Sequence, residues 1–504
     1  MSNFPFPTGT NLGGMIAPQV EATQPWLIEV ANDGAERVFD FGDLHRAAAG
    51  VALALRARGL APNARVGIIG LNCAEYLLSY YGIMQAGLCA VPIGYKLAQD
   101  TVEHILEDAE VELLYADAAW AERLDGKVPM LPLDDRAAWW AHLHQGSFDI
   151  AQVKARDPAT ILYTSGSTGT PKGVPLTHGA YIWTLDRVSV NGGEFIRRTA
   201  ARVITAAPLS HMNALFLTKT VTAYGGTLVL MTLFDARAFL ESCMRHRCSI
   251  VTAVPTMLAL CARETETIAR LDLGAVQSVA VGSAPLTSAL CEQIAAIFPN
   301  AAVQNGWGTT ETGPAVFGPH PEGIDRPPLS LGYPLEGVEV RLEGGTGDEG
   351  ELYVRNGAIM PGYLNRDDET RKRLKDGWYR TGDVMRRDAH GFFYFVGRAD
   401  DMFVCGGENM YPGEIELLLE KHPGVAQAAV VPVPDQIKGQ VPAAFIVRQP
   451  GSTVSGDELK QFALDNGPAY QHPRFICFID EMPLSAANKI DKKHIQQMAG
   501  GLSR

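Results

Sequence analysis

From Tyr163 to Val174 the chain reads Tyr-Thr-Ser-Gly-Ser-Thr-Gly-Thr-Pro-Lys-Gly-Val. Gly166, Gly169 and Gly173 let backbone N–H groups turn toward an anion, and Thr164, Ser165, Ser167 and Thr168 add small hydroxyl donors without bulk. Lys172 contributes a cation that can reach phosphate oxygens. Together these residue types suit a loop that grips a polyphosphate. The common P-loop pattern fails here, because Pro171 stands five residues after Gly166 and Gly173 follows Lys172. A flexible Gly/Ser linker also fits poorly, since the segment follows directly on the apolar run Ala159 to Leu162 and carries Pro-Lys-Gly.

Such a loop must be held by strands and helices, and the flanking chain supplies them in alternation. Val66 to Leu71, Leu88 to Ile93 and Val111 to Tyr115 read as buried strands, separated by helical spacing over Ala74 to Met84 and Asp100 to Glu110. After the loop the unit repeats: strands at Val203 to Ala207, Thr227 to Met231, Ser249 to Val254 and Val276 to Val281, with helices at Ala236 to Arg247, Thr256 to Arg263 and Leu286 to Phe298. Alternation of this kind implies parallel sheets, which bind ligands at the carboxyl ends of their strands. The segments after Leu162, Ala207 and Val303 are therefore the expected site segments. From Gly337 to Arg355 the pattern becomes that of an antiparallel hairpin. Its Gly345 to Gly350 stretch matches G-x-G-x-x-G but joins two strands, so it is read as a turn.

At 504 residues the chain should divide into more than one domain. The expected fold is α/β: a large N-terminal domain (1–397) with parallel sheets covered by helices and a small β-subdomain, a hinge (398–401), and a small mobile α+β C-terminal domain (402–504). Its 46% hydrophobic and 20% charged residues are those of an ordinary globular protein, and a net charge of −13 disfavours nucleic acid. The eight cysteines form no C-x-x-C pair, so reduced thiols are expected rather than a zinc site or a disulfide framework. Residues 1–36 hold no Lys or Arg, and no apolar run approaches membrane-spanning length. The expectation is a cytoplasmic protein with no integral membrane association, and a homodimer is the assembly considered.

The loop resembles the signature of the adenylate-forming superfamily: acyl-CoA synthetases, luciferases and peptide-synthetase adenylation domains. Further segments fall in the order that this resemblance requires. Asn305-Gly306-Trp307-Gly308-Thr309-Thr310-Glu311 is similar to the run that packs on adenine and supplies a magnesium ligand, with Trp307 where tyrosine is usual. The resemblance implies Glu311 and Thr164 at Mg²⁺, and Gly282, Ser283 and Ala284 beside the nucleotide. Tyr379-Arg380-Thr381-Gly382-Asp383 is similar to the ribose-binding segment, whose two-oxygen carboxylate, here Asp383, suits vicinal hydroxyls. Arg398 and Asp400 match the hinge, Arg398 near the nucleotide and Asp400 as pivot. Lys489, in Pro483 to Ile490, matches the adenylation lysine, though Asn488 stands where glycine is common. Gly406 and Gly407 would line the path of a pantetheine arm.

The activity implied by resemblance is two-step: a carboxylate attacks ATP, giving an acyl-adenylate and pyrophosphate, and a thiol then releases AMP. Lys489, Glu311, Thr164 and His211 are the expected catalytic residues, with ATP, Mg²⁺ and coenzyme A as cofactors. His211, Met212, Asn213, Gly282, Gly306 and Trp307 are the expected surround of a small carboxylic acid, with Tyr181 and Trp183 as additions. A bulky Trp307 and a polar Asn213 favour a short branched or hydroxylated acid such as 2-hydroxyisobutyrate, with a benzoate-type aromatic acid as the alternative. The rivals are an adenylation enzyme loading a carrier protein, an oxidising luciferase, and a nucleotide-binding regulator without turnover.

Overall fold

A computed structural model describes residues 6, 10–16, 20–165, 170–188, 195–196, 200–345, 347–406, 408–468, 471–484 and 490–502. Gly166, Ser167, Thr168, Gly169, Gly407 and Lys489 lie outside the described residues, as does the side chain of Ser165. Two parallel sheets dominate the N-terminal part. In the first, Met130–Pro132, Val111–Ala116, Arg65–Ile69, Cys89–Ile93 and Pro158–Ser165 run parallel, and Pro171–Thr177 closes one edge antiparallel. In the second, Ala302–Gly306, Ser278–Gly282, Ile250–Ala253, Arg202–Thr205, Thr227–Met231 and Pro25–Val30 run parallel, with Glu36–Asp40 antiparallel at the edge.

Two features depart from the sequence reading. The start, to which the strand–helix alternation assigns no element, forms the hairpin Pro25–Val30 and Glu36–Asp40, whose first strand pairs with Thr227–Met231. The grip loop leads into an edge strand that the sequence reading does not assign, carrying Pro171 and Pro175, and proline is tolerated where one side of a strand lacks a ladder partner.

The largest core cluster takes side chains from both sheets, among them Val66, Ala90 and Leu162 from the first and Leu27, Val203 and Leu228 from the second. Helices fill the space between. All twelve residues of the helix Ala74–Gln85 are buried, the signature of a helix enclosed on every side. The helix Met212–Tyr224 is buried through most of its length. A smaller antiparallel sheet holds Glu339–Glu343, Glu349–Arg355, Trp378–Arg387 and Phe393–Arg398. Glu343 pairs with Glu351 across the turn, as expected for a hairpin. Beyond Phe403 a separate five-stranded sheet with its own apolar cluster forms the C-terminal part. Among the described residues no helix is long and apolar enough to cross a membrane.

Candidate functional site

The hairpin Pro158–Ser165 and Pro171–Thr177 sets Thr164 opposite Lys172. Lys172 Nζ donates to Glu369 Oε2 at 2.6 Å and lies 5.4 Å from the Tyr363 ring centre. Hydrogen bonds from Lys172 and then Lys372 hold the Glu369 carboxyl down to about 2. Tyr363 in turn donates its hydroxyl to Glu311 Oε1 at 2.9 Å and meets the Tyr379 hydroxyl at 3.0 Å. Burial and the Glu311 charge push the Tyr363 phenol far up, so it stays a donor. One tyrosine thus joins the lysine of the grip loop to Glu311, two groups that the sequence places far apart.

The second sheet sets its own segments side by side. Gly282 and Gly306 are register partners at the ends of adjacent parallel strands, and a Cβ on Gly282 would meet Gly306 O at 3.3 Å. Ser283 follows with φ +69°, an uncommon left-handed turn for a residue with a side chain. Asn305 donates from Nδ2 to the Leu329 carbonyl at 2.9 Å, and Thr309 and Thr312 bond each other before Gly313.

Trp307, expected beside the nucleotide and the acyl group, is held through its indole edge. Its indole Nε1–H donates to Asp383 Oδ2 at 2.8 Å, and its ring centre lies 5.7 Å from that of Phe317. Asp383 accepts from Arg398 Nη1 at 2.5 Å on its other oxygen, and it is only 4% exposed. Asp383 and Arg398 are partners in one antiparallel ladder, which fixes this ion pair. Burial raises the Asp383 carboxyl, against the opposing pull of Arg398 and Trp307. Arg398 also reaches Asp400 at 3.6 Å, and Arg373 reaches it at 3.0 Å.

Gly382, at φ +78°, leaves room that a side chain would fill, since its Cβ would lie 2.9 Å from both Arg373 Nη1 and Arg398 Nη2. That Arg373 nitrogen is buried with no hydrogen-bond partner among the described residues. The cation is paired with Asp400 through its other nitrogen, and this free N–H suits a contact with added negative charge.

His211 caps the helix Met212–Tyr224 in an extended conformation, and Asn213 is half-buried in its first turn. Tyr181 donates its hydroxyl to Met212 Sδ at 3.7 Å. Tyr181 and Met212 line a small apolar cavity with Leu176, Ala180, Pro314 and Ala358. Gly313 and Pro314 also bring the Glu311 loop to its rim. Trp183 faces Gly357 and Gly337 instead, away from this lining. Gly406 sits in the C-terminal sheet, donating to the Lys438 carbonyl at 3.1 Å.

The sequence reading missed Tyr363, Glu369 and Arg373. No local pattern marks them, and each acts through a partner distant in the chain.

Family models match the chain twice: an AMP-binding enzyme over residues 19–364 and an AMP-binding enzyme C-terminal domain over residues 414–489. A feruloyl-CoA synthase from Amycolatopsis sp is 32% identical over 474 residues, covering 91% of this chain and 94% of that protein. A fatty acid–[acyl-carrier-protein] ligase, ScoC, from Streptomyces coeruleorubidus is 31% identical over 482 residues, covering 92% of each. The crystal structure of the anthranilate CoA ligase AuaEII with anthranoyl-AMP superposes with a TM-score of 0.88 at 26% identity, covering 99% of both chains.

Proposed function

The chain belongs to the AMP-binding enzyme family and is an AMP-forming acid–CoA ligase, and from that premise we propose that its acid is aromatic. The carrying observation is the cavity between Tyr181, Met212 and Pro314. It is a space of about 10 Å³ beside the loop of Glu311, lined by apolar and aromatic groups and Thr184, and an aryl ring entering it would have to widen it. Relatives acting on feruloyl and anthranoyl groups support the same class. The short hydroxylated acid rested on a bulky Trp307 and a polar Asn213, and the first of these donates its indole N–H to Asp383.

In this reading Asp383 and Trp307 hold the ribose side of ATP, while Lys172, Thr164 and the unpartnered Arg373 N–H face its phosphates. The ATP would displace Lys172 from Glu369, exchanging a carboxylate partner for phosphate oxygens. Glu311 keeps one oxygen beyond its bond to Tyr363. Among the described residues no cluster of three ligand side chains could cage a metal by itself. That donor set fits Mg²⁺ carried largely by phosphate oxygens, with Glu311 and Thr164 completing its shell. The ion neutralises phosphate charge when present. The substrate carboxylate forms a bond to the α-phosphorus and pyrophosphate leaves. Lys489 is the cation assigned to this step. Coenzyme A thiolate then attacks the acyl carbon and AMP leaves. The boundaries 1–397, 398–401 and 402–504, with Asp400 as pivot between the two half-reactions, are part of the proposal.

Acid-dependent exchange of labelled pyrophosphate into ATP tests it, followed by AMP release with and without CoA. Benzoates, cinnamates and arylacetates should support both reactions, and 2-hydroxyisobutyrate and fatty acids should not. Exchange with aliphatic acids alone would overturn the aromatic reading. Release that needs an acyl carrier protein would favour the activity named for ScoC.

A further inference from the structure

We propose that Lys219 reads the far end of the acid, donating a hydrogen bond to an oxygen carried there, either a phenolic hydroxyl or a second carboxylate. The inference rests on the reading of the chain as a ligase for an aromatic acid.

The helix Met212–Tyr224 begins at the apolar cavity, where Met212 is part of the wall. Lys219 lies seven residues on, two turns along the same face, which places it about 10 Å from Met212 along the axis at 1.5 Å per residue. Lys219 is only 3% exposed. Its Nζ donates to the Tyr80 hydroxyl and lies against two aromatic faces, 4.1 Å from the Tyr80 ring centre and 4.4 Å from that of Tyr181. Among the described residues no carboxylate pairs with it.

Burial drives this amine well below its ordinary range, and its tyrosine cage offers no carboxylate to offset that. Two tyrosine faces suit a cation weakly, and one phenol leaves amine donors unused. A chain that buries such a group without an acid leaves it open to an acceptor from outside.

Tyr181 is the wall shared by the lysine and the cavity. Its ring faces Nζ while its hydroxyl reaches Met212 Sδ. The cavity lining stops at Tyr181, so an acid lying along the helix with its carboxyl at the His211 end must displace that ring for its far end to arrive at Lys219. The span of about 10 Å suits an aryl ring with a short unsaturated arm and an oxygen in the para position. Thr160, bonded to the Tyr80 hydroxyl at 2.7 Å, stands on the strand that enters the grip loop, so the cage is braced against the nucleotide side.

The test compares acids of one shape in CoA-dependent AMP release: cinnamate, 4-methylcinnamate, 4-hydroxycinnamate and 4-carboxycinnamate. The native enzyme should prefer one oxygen-bearing acid over 4-methylcinnamate by about tenfold or more in kcat/KM. In Lys219→Met the ratio should fall to within about twofold, and Lys219→Gln, which keeps a donor, should retain part of it. The hydroxyl and carboxyl arms tell which oxygen is read. Equal use of the methyl and oxygen-bearing acids by the native enzyme overturns the inference without any variant having to fold. A preference that survives Lys219→Met overturns it as well. Failure of every cinnamate and every other aromatic acid overturns the aromatic reading and this inference with it. Turnover without a Lys219-dependent preference overturns this inference alone.

Discussion

One buried helix, Ala74–Gln85, meets ionisable side chains at two places and treats them in opposite ways. At its start Glu75 shares the Arg37 guanidinium with Glu29, through bonds of 2.6 Å from Nη1 to Glu75 and 2.6 Å from Nη2 to Glu29. Arg136 adds a second cation at 3.4 Å, and the Ala74 N–H donates to Glu29 at 2.7 Å. Every buried charge there has an opposite charge in contact, and the two carboxylates raise Arg37 against its burial. A turn and a half along, Tyr80 meets Lys219, where no acid answers the amine. The fold can therefore neutralise buried charge within this helix packing. Among the described residues no carboxylate does so at Lys219, whose amine lies against Tyr181, a wall of the apolar cavity.

The largest way to test this contrast is Arg37→Met. Two buried carboxylates would lose their shared partner, a change that costs about 3–5 kcal/mol when one side of a buried ion pair is removed. The urea midpoint should fall accordingly. If Lys219→Met lowered it by as much, the two places would be alike and the contrast would fail.

Next in size is acid sensitivity in the Lys219 neighbourhood. His178 is buried and accepts the Leu12 N–H on Nδ1 at 3.1 Å, which suits the neutral ring. Burial pushes it down to about 4 from 6.5, against the opposing pull of the Asp157 charge. A base whose folded value is depressed leaves the unfolded chain binding more protons below 6.5. Stability is then full above about pH 6.5 and is lost as pH falls toward 4, by roughly 3 kcal/mol at most. His178→Asn, which keeps an acceptor for Leu12, should flatten the urea midpoint across that window. An unchanged slope would place the acid sensitivity elsewhere.

The parts of the site that the sequence announces are those written in contiguous residues. The grip loop, Glu311 and Asp383 could be proposed from the sequence because each lies in a run whose neighbours constrain its reading. Tyr363 and Glu369 could not, because their meaning comes from Glu311 and Lys172, 52 and 197 residues away. Trp307 shows the limit most clearly. Its place in an aromatic-bearing motif is plain, but its direction depends on Asp383, 76 residues on. Strand alternation made the two sheets readable. It failed at Pro25–Val30, whose partner lies two hundred residues later, and at Pro171–Thr177, where prolines hide an edge strand.

The smallest expected effect carries the contrast in its sign. Lys219→Met removes an amine whose charged form burial disfavours and replaces it with an unbranched side chain of similar reach. The hydrogen bond to Tyr80 is lost, a cost of about 1 kcal/mol. The Tyr80 hydroxyl is not orphaned, because Thr160 Oγ1 stays 2.7 Å away. The thioether would lie between the rings that now flank Nζ, and sulfur–aromatic contacts contribute about 0.3–1.5 kcal/mol each. The desolvation cost of the amine disappears as well. The sum favours the variant, so its urea midpoint should rise by the equivalent of about 1 kcal/mol, opposite in sign to Arg37→Met. A fall of about 2 kcal/mol or more would mean that the amine is a structural bond like those of Arg37, serving the fold instead of waiting for a ligand.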